Sequence, residues 1–228
     1  MQNSYKRIDA HLSTLGYCTR SEAKKFMKIY ELYVKEDRVF DPSIKAYHSD
    51  IKINDEPLDP ETITILLNKP SGFICSHNDA GSLIYSLIPA RWNRRNPKIA
   101  TIGRLDVDTT GAIILTDDGA LNHKLSSPKS DVSKVYEATL AVPLKGDEKE
   151  IFASGELMLN GEKKPLLPAK LEVLGETHVR LEICEGKYHQ VKRMFAAVGN
   201  RVLTLHRVSF GGFTVEDLKE GEYKFIEL

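Results

Sequence analysis

The stretch GRLDVDTTGAIILT, residues 103–116, joins a densely polar turn to an apolar run. Three charged side chains and two threonines lie between the glycines at positions 103 and 111. The run that follows is rich in β-branched and apolar residues, which favours a strand. The chemistry of the chain depends on whether this turn only caps the strand or places reactive groups at its start.

Strand-like segments surround this stretch on both sides, and several are separated only by a turn. They are TITILL (62–67), FICS (73–76), KVYEATLAV (134–142), AKLEVL (169–174), HVRLEI (178–183), RVLTLHRVSF (201–210) and EYKFIEL (222–228). Helices are predicted around 82–88, 119–126, 146–154 and 189–198. Because strands outnumber helices, residues 61–228 are predicted to form a mixed, mainly antiparallel α+β domain rather than a doubly wound parallel sheet.

The first sixty residues have the pattern of a separate small α/β module. YKRIDAHLSTLG has apolar residues at helical spacing and a glycine that can end the helix. TRSE (19–22) is a capping-box pattern before a second helix, on which Arg20, Lys24 and Lys28 share one face. Short strands are predicted at LYV, RVF and IKI. The polar, proline-containing stretch NDEPLDPE (54–61) is the predicted linker between domains 1–60 and 61–228.

Charge and cysteine content restrict the class of protein. Basic and acidic residues balance at 32 each, so the net charge of zero does not indicate a polyanion partner. Residues 1–30, however, carry six basic and two acidic side chains, as do residues 180–210, which indicates either phosphate contacts or solvated faces. Three widely spaced cysteines are typical of reduced thiols in a cytoplasmic protein. No segment has the length of a membrane span or the character of a secretory signal.

A second polar–apolar segment is EGKYHQVKRMFAAVGN, residues 185–200. Val191, Met194, Phe195 and Val198 form one apolar stripe at helical spacing, with His189, Lys192 and Arg193 on the opposite face. The segment is either an amphipathic helix with a solvated basic face or a helix that offers Lys192 and Arg193 to an anion or an active-site carboxylate.

The aspartates of residues 103–111 allow two interpretations from the string alone. Asp and Thr side chains commonly cap local amides in turns. Asp106, Asp108 and Thr110 also match the D-x-D-x-T pattern of phosphotransferases that hold Mg²⁺ with carboxylates. That class has an apolar strand leading directly into the first aspartate. Here GRL intervenes, and no downstream acidic pair and lysine follow at the usual separation.

The motifs together resemble the pseudouridine synthases, in the branch that modifies ribosomal RNA. GRLDVDTTG with LTDDG is similar to the central motif, LLNKPSGFICS (66–76) to the opening motif, SKVYEATL (133–140) to the tyrosine motif and residues 185–207 to the C-terminal motif. Residues 5–58 resemble the S4-like RNA-binding module of this branch, although YVKEDRVF replaces its usual Gly or Asn turn. With a lysine after HQV, the C-terminal motif is similar to that of the enzymes that act on small-subunit 16S rRNA.

This resemblance implies a catalytic group of three residues. Pseudouridine formation breaks the N1–C1′ bond of a uridine, turns the base and rejoins it through C5, which needs an ionised carboxylate beside the sugar. The resemblance assigns that role to Asp106. Lys192 corresponds to the basic partner that keeps the carboxylate charged. Tyr136 corresponds to the tyrosine that packs on the target base.

The resemblance also implies RNA contacts on both domains. Arg104 corresponds to an arginine that fills the space left by the flipped base and binds phosphate. In the first module Arg7, Arg20, Lys24 and Lys25 are predicted to hold the rRNA backbone. Residues predicted to contact RNA in the C-terminal motif are His189, Gln190 and Arg193.

The implied reaction needs no cofactor and no metal, and the expected partner is small-subunit rRNA or its assembly intermediate. A monomer in the cytoplasm, without a membrane partner, is expected. Competing hypotheses are a synthase acting on large-subunit rRNA, a non-catalytic rRNA-binding assembly factor, and the Mg²⁺-dependent phosphatase. Intact Asp106, Tyr136 and Lys192 argue against the non-catalytic factor.

Overall fold

The computed structural model describes residues 3–127 and 130–227, which divide into two compact units. The first unit contains the chain up to Thr64, together with Ile88–Ala100 and Thr116–Gly119. The second contains Ile65–Leu87, Thr101–Leu115 and the chain from Ala120 onward. Every helix in these ranges is too short or too polar to cross a membrane.

The first unit packs two short helices against small sheets. Its helices are α1 (Ile8–Thr14) and α2 (Ala23–Ile29), the second preceded by a 3-10 turn at Arg20–Glu22. Its strands are β1 (Tyr5–Arg7), β2 (Leu32–Val34), β3 (Asp37–Arg38), β4 (Lys45–Tyr47), β5 (Ile51–Ile53) and β6 (Glu56–Pro57). Strands β1 and β4 form an antiparallel ribbon, and the order of the other sheet is β3-β2-β5-β6. Side chains from both helices and these strands, including Ile8, Leu12, Met27, Leu32 and Ile51, form its core.

The local signals of this unit act largely as the sequence predicts. Gly16 follows α1 with a φ of +81°, where L-residues are disfavoured. The carboxylate of Glu22 accepts from the backbone N–H of Thr19 at 3.0 Å, as the capping-box pattern predicts. Residues 54–61, the predicted linker, belong to this unit, and Asn54 and Asp55 form the turn between β5 and β6.

A buried ion pair lies inside the first unit. Arg95 Nε donates to Asp117 Oδ2 at 2.6 Å, and both side chains are almost fully buried. Asp117 also accepts from the backbone N–H of Ile63 at 2.7 Å. The first aspartate of LTDDG is therefore satisfied within the core, as a buried charge requires.

The second unit is built on one large twisted sheet. Its strands are β7 (Thr64–Lys69), β8 (Ala100–Ile102), β9 (Thr110–Thr116), β10 (Lys134–Leu140), β11 (Lys170–Val173), β12 (His178–Ile183), β13 (Val202–Phe210), β14 (Phe213–Thr214) and β15 (Tyr223–Phe225). Its helices are α3 (Gly119–Ser126), α4 (Glu148–Ala153) and α5 (Gln190–Ala197), with a 3-10 turn at Ile84–Leu87. A further 3-10 turn, Ala90–Arg94, belongs to the first unit. The strand order is β11-β12-β10-β13-β9-β7-β15, with β14 beside β13 and β8 beside β9.

The predicted mixed, mainly antiparallel fold is confirmed. Strand β10 pairs antiparallel with both β12 and β13, whereas β13 pairs in parallel with β9. The prediction of a strand at FICS is wrong, because that segment makes only an isolated bridge between Ile74 and Leu83. Strands β1, β4, β8 and β14, which have two or three residues each, were not predicted.

Candidate active site

Asp106 lies in the loop between β8 and β9. Its carbonyl accepts from the backbone N–H of Thr109 at 3.1 Å, which closes a tight turn. The next carbonyl, that of Val107, accepts from Gly72 N–H at 2.8 Å. Leu105 and Thr109 are buried on either side of the aspartate, so the loop is anchored at both ends.

A fully buried lysine supports this loop from beneath. Lys69 Nζ donates to the carbonyl oxygens of Asp106 at 3.1 Å, Val107 at 3.2 Å, Thr109 at 2.8 Å and Pro70 at 3.1 Å. Burial lowers the pKa of Lys69, against the attraction of Cys75 and the two loop aspartates. The ammonium gathers the loop carbonyls and fixes the backbone that carries Asp106.

Both carboxylate oxygens of Asp106 face basic side chains. Lys192 Nζ lies 3.2 Å from Oδ2 and His189 Nε2 lies 3.2 Å from Oδ1. Lys192 also donates to Asp108 Oδ1 at 2.6 Å. The side chains of Asp106 and Lys192 are about one quarter exposed, at 27% and 26%, whereas that of Asp108 is 71% exposed. Asp106 is thus the sheltered carboxylate and Asp108 the solvent-facing one.

The shared lysine responds electrostatically to both carboxylates. Burial disfavours the ammonium, yet hydrogen bonds to Asp108 and Asp106 raise the pKa of Lys192 above its ordinary value. The hydrogen bond from Lys192 holds the pKa of Asp108 below its ordinary value, although burial opposes this. Lys192 is therefore charged at neutral pH and balances the loop aspartates.

Helix α5 presents Lys192 because its opposite face is buried. Val191, Met194 and Phe195 are at most 3% exposed, which confirms three of the four predicted members of the apolar stripe. The fourth, Val198, is half-buried and lies at the C-terminal cap, after the last helical residue. The helix begins after His189, which has a left-handed backbone with a φ of +47°. Tyr188, 75% exposed, stacks on the His189 ring with centroids 3.8 Å apart. The imidazole is thereby placed against the Asp106 carboxylate.

Tyr136 lies on β10 opposite Arg207 of β13. Arg207 Nη1 lies 3.4 Å from the Tyr136 hydroxyl, and its Nε donates to the carbonyl of Ala112 at 2.6 Å. Tyr136 is 8% exposed and Arg207 is 2% exposed. Since Ala112 is on β9, Arg207 bridges the strand that follows the Asp106 loop and the strand that carries Tyr136.

Three residues predicted to contact RNA in the C-terminal motif make contacts within the chain. His189 faces Asp106. Gln190 is buried, accepts from Lys187 N–H at 2.8 Å and donates to Glu185 at 3.0 Å. Arg193 pairs with Glu162 at 3.0 Å and donates to two backbone carbonyls. The geometry therefore gives Gln190 and Arg193 structural tasks and offers no support for direct RNA contact by them.

The other predicted RNA contacts are exposed. Arg104 lies on the surface of the second unit, two residues before Asp106. In the first unit Arg7 and Arg20 both reach the buried carboxylate of Asp9, at 2.8 and 3.3 Å, and their side chains remain 43% and 60% exposed. Two lysines of α2, Lys24 and Lys25, are exposed as well.

Sequence reasoning missed two buried cations of the second unit, Lys69 and Arg207. Each had a signal. Lys69 ends the apolar run TILLNK, where a lysine must be either buried or at an edge. Arg207 alternates with Leu205 and Ser209 on β13, so the period of two places it on their buried face. Their partners, which are backbone carbonyls and a cross-strand tyrosine, could not be read from the sequence.

Comparisons with known proteins agree on one family. Residues 63–197 match the family described as RNA pseudouridylate synthase. The Haemophilus influenzae protein named ribosomal small subunit pseudouridine synthase A is 41% identical over 223 residues, covering 96% of this chain and 94% of that protein. The Escherichia coli K12 protein of the same name is 48% identical over 163 residues, covering 70% and 68%. A solved structure described as a pseudouridylate synthase is 40% identical, covers 97% and 96%, and has a TM-score of 0.68.

Proposed function

Because this chain belongs to the RNA pseudouridylate synthase family, we propose that it isomerises one uridine of small-subunit (16S) ribosomal RNA to pseudouridine. The family membership confirms the resemblance that the motifs carry. The choice of small-subunit rRNA, free or in an assembly intermediate, is supported by the two relatives whose names state that substrate. No finding favours large-subunit rRNA, a non-catalytic factor or a phosphatase.

The observation that carries this proposal is the sheltered carboxylate of Asp106, held between Lys192 and His189 at 3.2 Å each. Asp106 would supply the carboxylate that reacts at the sugar when the N1–C1′ bond breaks. A fixed carboxylate with a positive neighbour needs no reorganisation at the moment of reaction. Lys192 would hold it aimed at the sugar, and Tyr136 would pack on the base.

RNA binding would be shared by the two units. Residues 1–60 are proposed as the S4-like module and residues 61–228 as the catalytic domain, which is supported by the start of the family match at residue 63. The exposed Arg7, Arg20, Lys24 and Lys25 would contact phosphates. Arg104, next to Asp106, would fill the space left by the flipped uridine.

The setting of this activity would be the cytoplasm. Cys18, Cys75 and Cys184 are free thiols in the structure, which agrees with a reducing compartment. One chain supplies Asp106, its basic partners and Tyr136, which supports a monomeric enzyme.

Incubation with small-subunit and large-subunit rRNA, followed by mapping of pseudouridine, tests the proposal. We expect one modified uridine in small-subunit rRNA, none with Asp106→Asn, and retained activity with the matched variant Asp108→Asn, whose carboxylate faces solvent. Equal modification by wild type and Asp106→Asn would refute the role of Asp106. Modification confined to large-subunit rRNA would refute the proposed substrate.

A further inference from the structure

A local irregularity in the sheet sets Arg207 opposite Tyr136. The register of β10 and β13 shifts between Val135 and Tyr136, so that Val135 faces Ser209 while Tyr136 faces Arg207. Such bulges re-aim side chains beside functional sites. The shift brings the guanidinium to 3.4 Å from the Tyr136 hydroxyl and 5.9 Å from the centre of its ring.

The charge of Arg207 lacks a counter-ion in the described part of the chain. Its Nε donates to a backbone carbonyl, and Nη2 has no hydrogen-bond partner among the described residues. Arg207 forms no ion pair with a carboxylate of the described residues. A buried charge without an opposite charge is unfavourable unless another group, such as a bound ligand, compensates for it.

A second cation increases the positive charge at this place. Lys134, also on β10, lies 5.5 Å from the ring centre of Phe210, and Arg207 lies 5.1 Å from the same centre. Burial lowers the pKa of Lys134, and the nearby Arg207 lowers it further. Among the described residues Lys134 donates only to the carbonyl of Val132, at 2.7 Å. Neither cation forms an ion pair with a carboxylate of the described residues, although Asp131 and Glu185 attract Lys134 from farther away, so the place is suited to negative charge.

The proposed reaction creates negative charge on the base. When the N1–C1′ bond breaks, its electron pair stays with the uracil, and the positive charge left on the sugar is met by Asp106. The uracil anion then joins C1′ through C5, and the C5 proton is released. Lys192 is already shared by Asp106 and Asp108, so a different cation must stabilise the detached base.

Resting on the proposed function, we propose that Arg207 is a positioning residue that fixes the phenol of Tyr136 and brings an uncompensated positive charge beside the base that Tyr136 holds. Its effect belongs to bond cleavage, when the base becomes anionic, rather than to binding of the neutral uridine. Groups aimed at developing charge accelerate the step in which that charge appears.

The test compares two leaving bases. Single-turnover cleavage is measured on the substrate RNA with uridine or with 5-fluorouridine at the target, because fluorine lets the detached base hold negative charge more easily. We expect Arg207→Gln to slow cleavage by about 100-fold with uridine, by comparison with loss of one charge-stabilising donor. The loss should be several-fold smaller with 5-fluorouridine, and the Kd for the RNA should stay within about twofold.

Three further variants complete the test. Arg207→Lys keeps the charge and should recover part of the rate. Arg180→Gln removes an arginine of the adjacent β12 that pairs with Glu137 at 2.7 Å. It should not slow cleavage of one RNA more than cleavage of the other. If Arg207→Gln does not fold, Lys134→Met gives a smaller loss with the same dependence on the base. Equal losses on both RNAs in Arg207→Gln and Lys134→Met would overturn the inference. An inactive wild type would instead refute the proposed function.

Discussion

At the scale of single residues, the two aspartates of GRLDVDTTG share one lysine and differ in shelter. Asp108 is 71% exposed and Asp106 27% exposed, a difference that identical side chains two positions apart do not reveal in a sequence. The pairing of Lys192 with Asp106, 86 residues earlier, followed from the family resemblance and not from spacing. The contact of His189 with Asp106 was not predicted, because it depends on the left-handed backbone before α5.

Replacement of Lys69 by Met tests the support beneath the Asp106 loop. The variant removes the donor shared by four carbonyls, of which those of Asp106 and Val107 keep a backbone N–H partner. We expect the free energy of unfolding to fall by about 2–4 kcal/mol, and kcat to fall more than RNA affinity because Asp106 loses its fixed position. Chemical denaturation and kinetics of pseudouridine formation measure both effects.

The matched control for this prediction is Lys164→Met, which removes an exposed lysine of the same unit. It should change the free energy of unfolding by no more than about 0.5 kcal/mol and kcat by no more than about twofold. An unaltered kcat in Lys69→Met, with a folded protein, would show that the loop does not need the ammonium.

At the scale of elements, periodic patterns predicted the long segments, whereas several short or irregular ones were missed. The stripe of α5 and the strands β9, β10, β12 and β13 have enough residues for their period to appear. The bulge opposite Tyr136 and the ribbon of β1 with β4 have no period, since pairing partners decide them. The parallel contact of β9 with β13 also depends on residues about 95 positions apart.

Gly111→Ala tests that parallel contact. Gly111 has a φ of +103°, and a Cβ there would lie within van der Waals overlap of the Arg207 backbone, including its nitrogen at 2.8 Å. Strain and strand separation should lower the free energy of unfolding by about 2–4 kcal/mol. The control Gly119→Ala has open space and no positive φ, and should leave stability within about 0.5 kcal/mol. Equal stability of the two variants in denaturant titrations would contradict the close approach of β9 and β13.

At the scale of the whole molecule, each unit contains a histidine whose charged form is disfavoured by desolvation. His11 of the first unit is 2% exposed and contacts the Ala46 carbonyl at 3.1 Å. His206 of the second contacts the Thr110 hydroxyl at 2.8 Å. Burial lowers the pKa of both histidines. The zero net charge hides this feature, because composition treats every histidine alike.

Acidification should therefore destabilise the protein before its carboxylates titrate. In the unfolded state the histidine pKa has its ordinary value of about 6.5. Below that pH the unfolded state binds protons that the folded state does not bind. The free energy of unfolding keeps its full value above that pH, and it falls as the pH drops towards the lowered histidine pKa values of the folded state. The slope is at most about 1.4 kcal/mol per pH unit for each histidine. Fluorescence of Trp92, the single tryptophan and part of the first unit, detects unfolding of the unit that contains His11.

Denaturant titrations followed by Trp92 between pH 7.5 and 5.5 separate His11 from the other histidines. His11→Gln keeps a side chain able to bond the Ala46 carbonyl but cannot take up the proton, so the pH slope should flatten. His77→Gln removes an exposed histidine and should leave the slope as in wild type. A slope that persists in His11→Gln would mean that another group, and not this buried imidazole, couples folding of the first unit to pH.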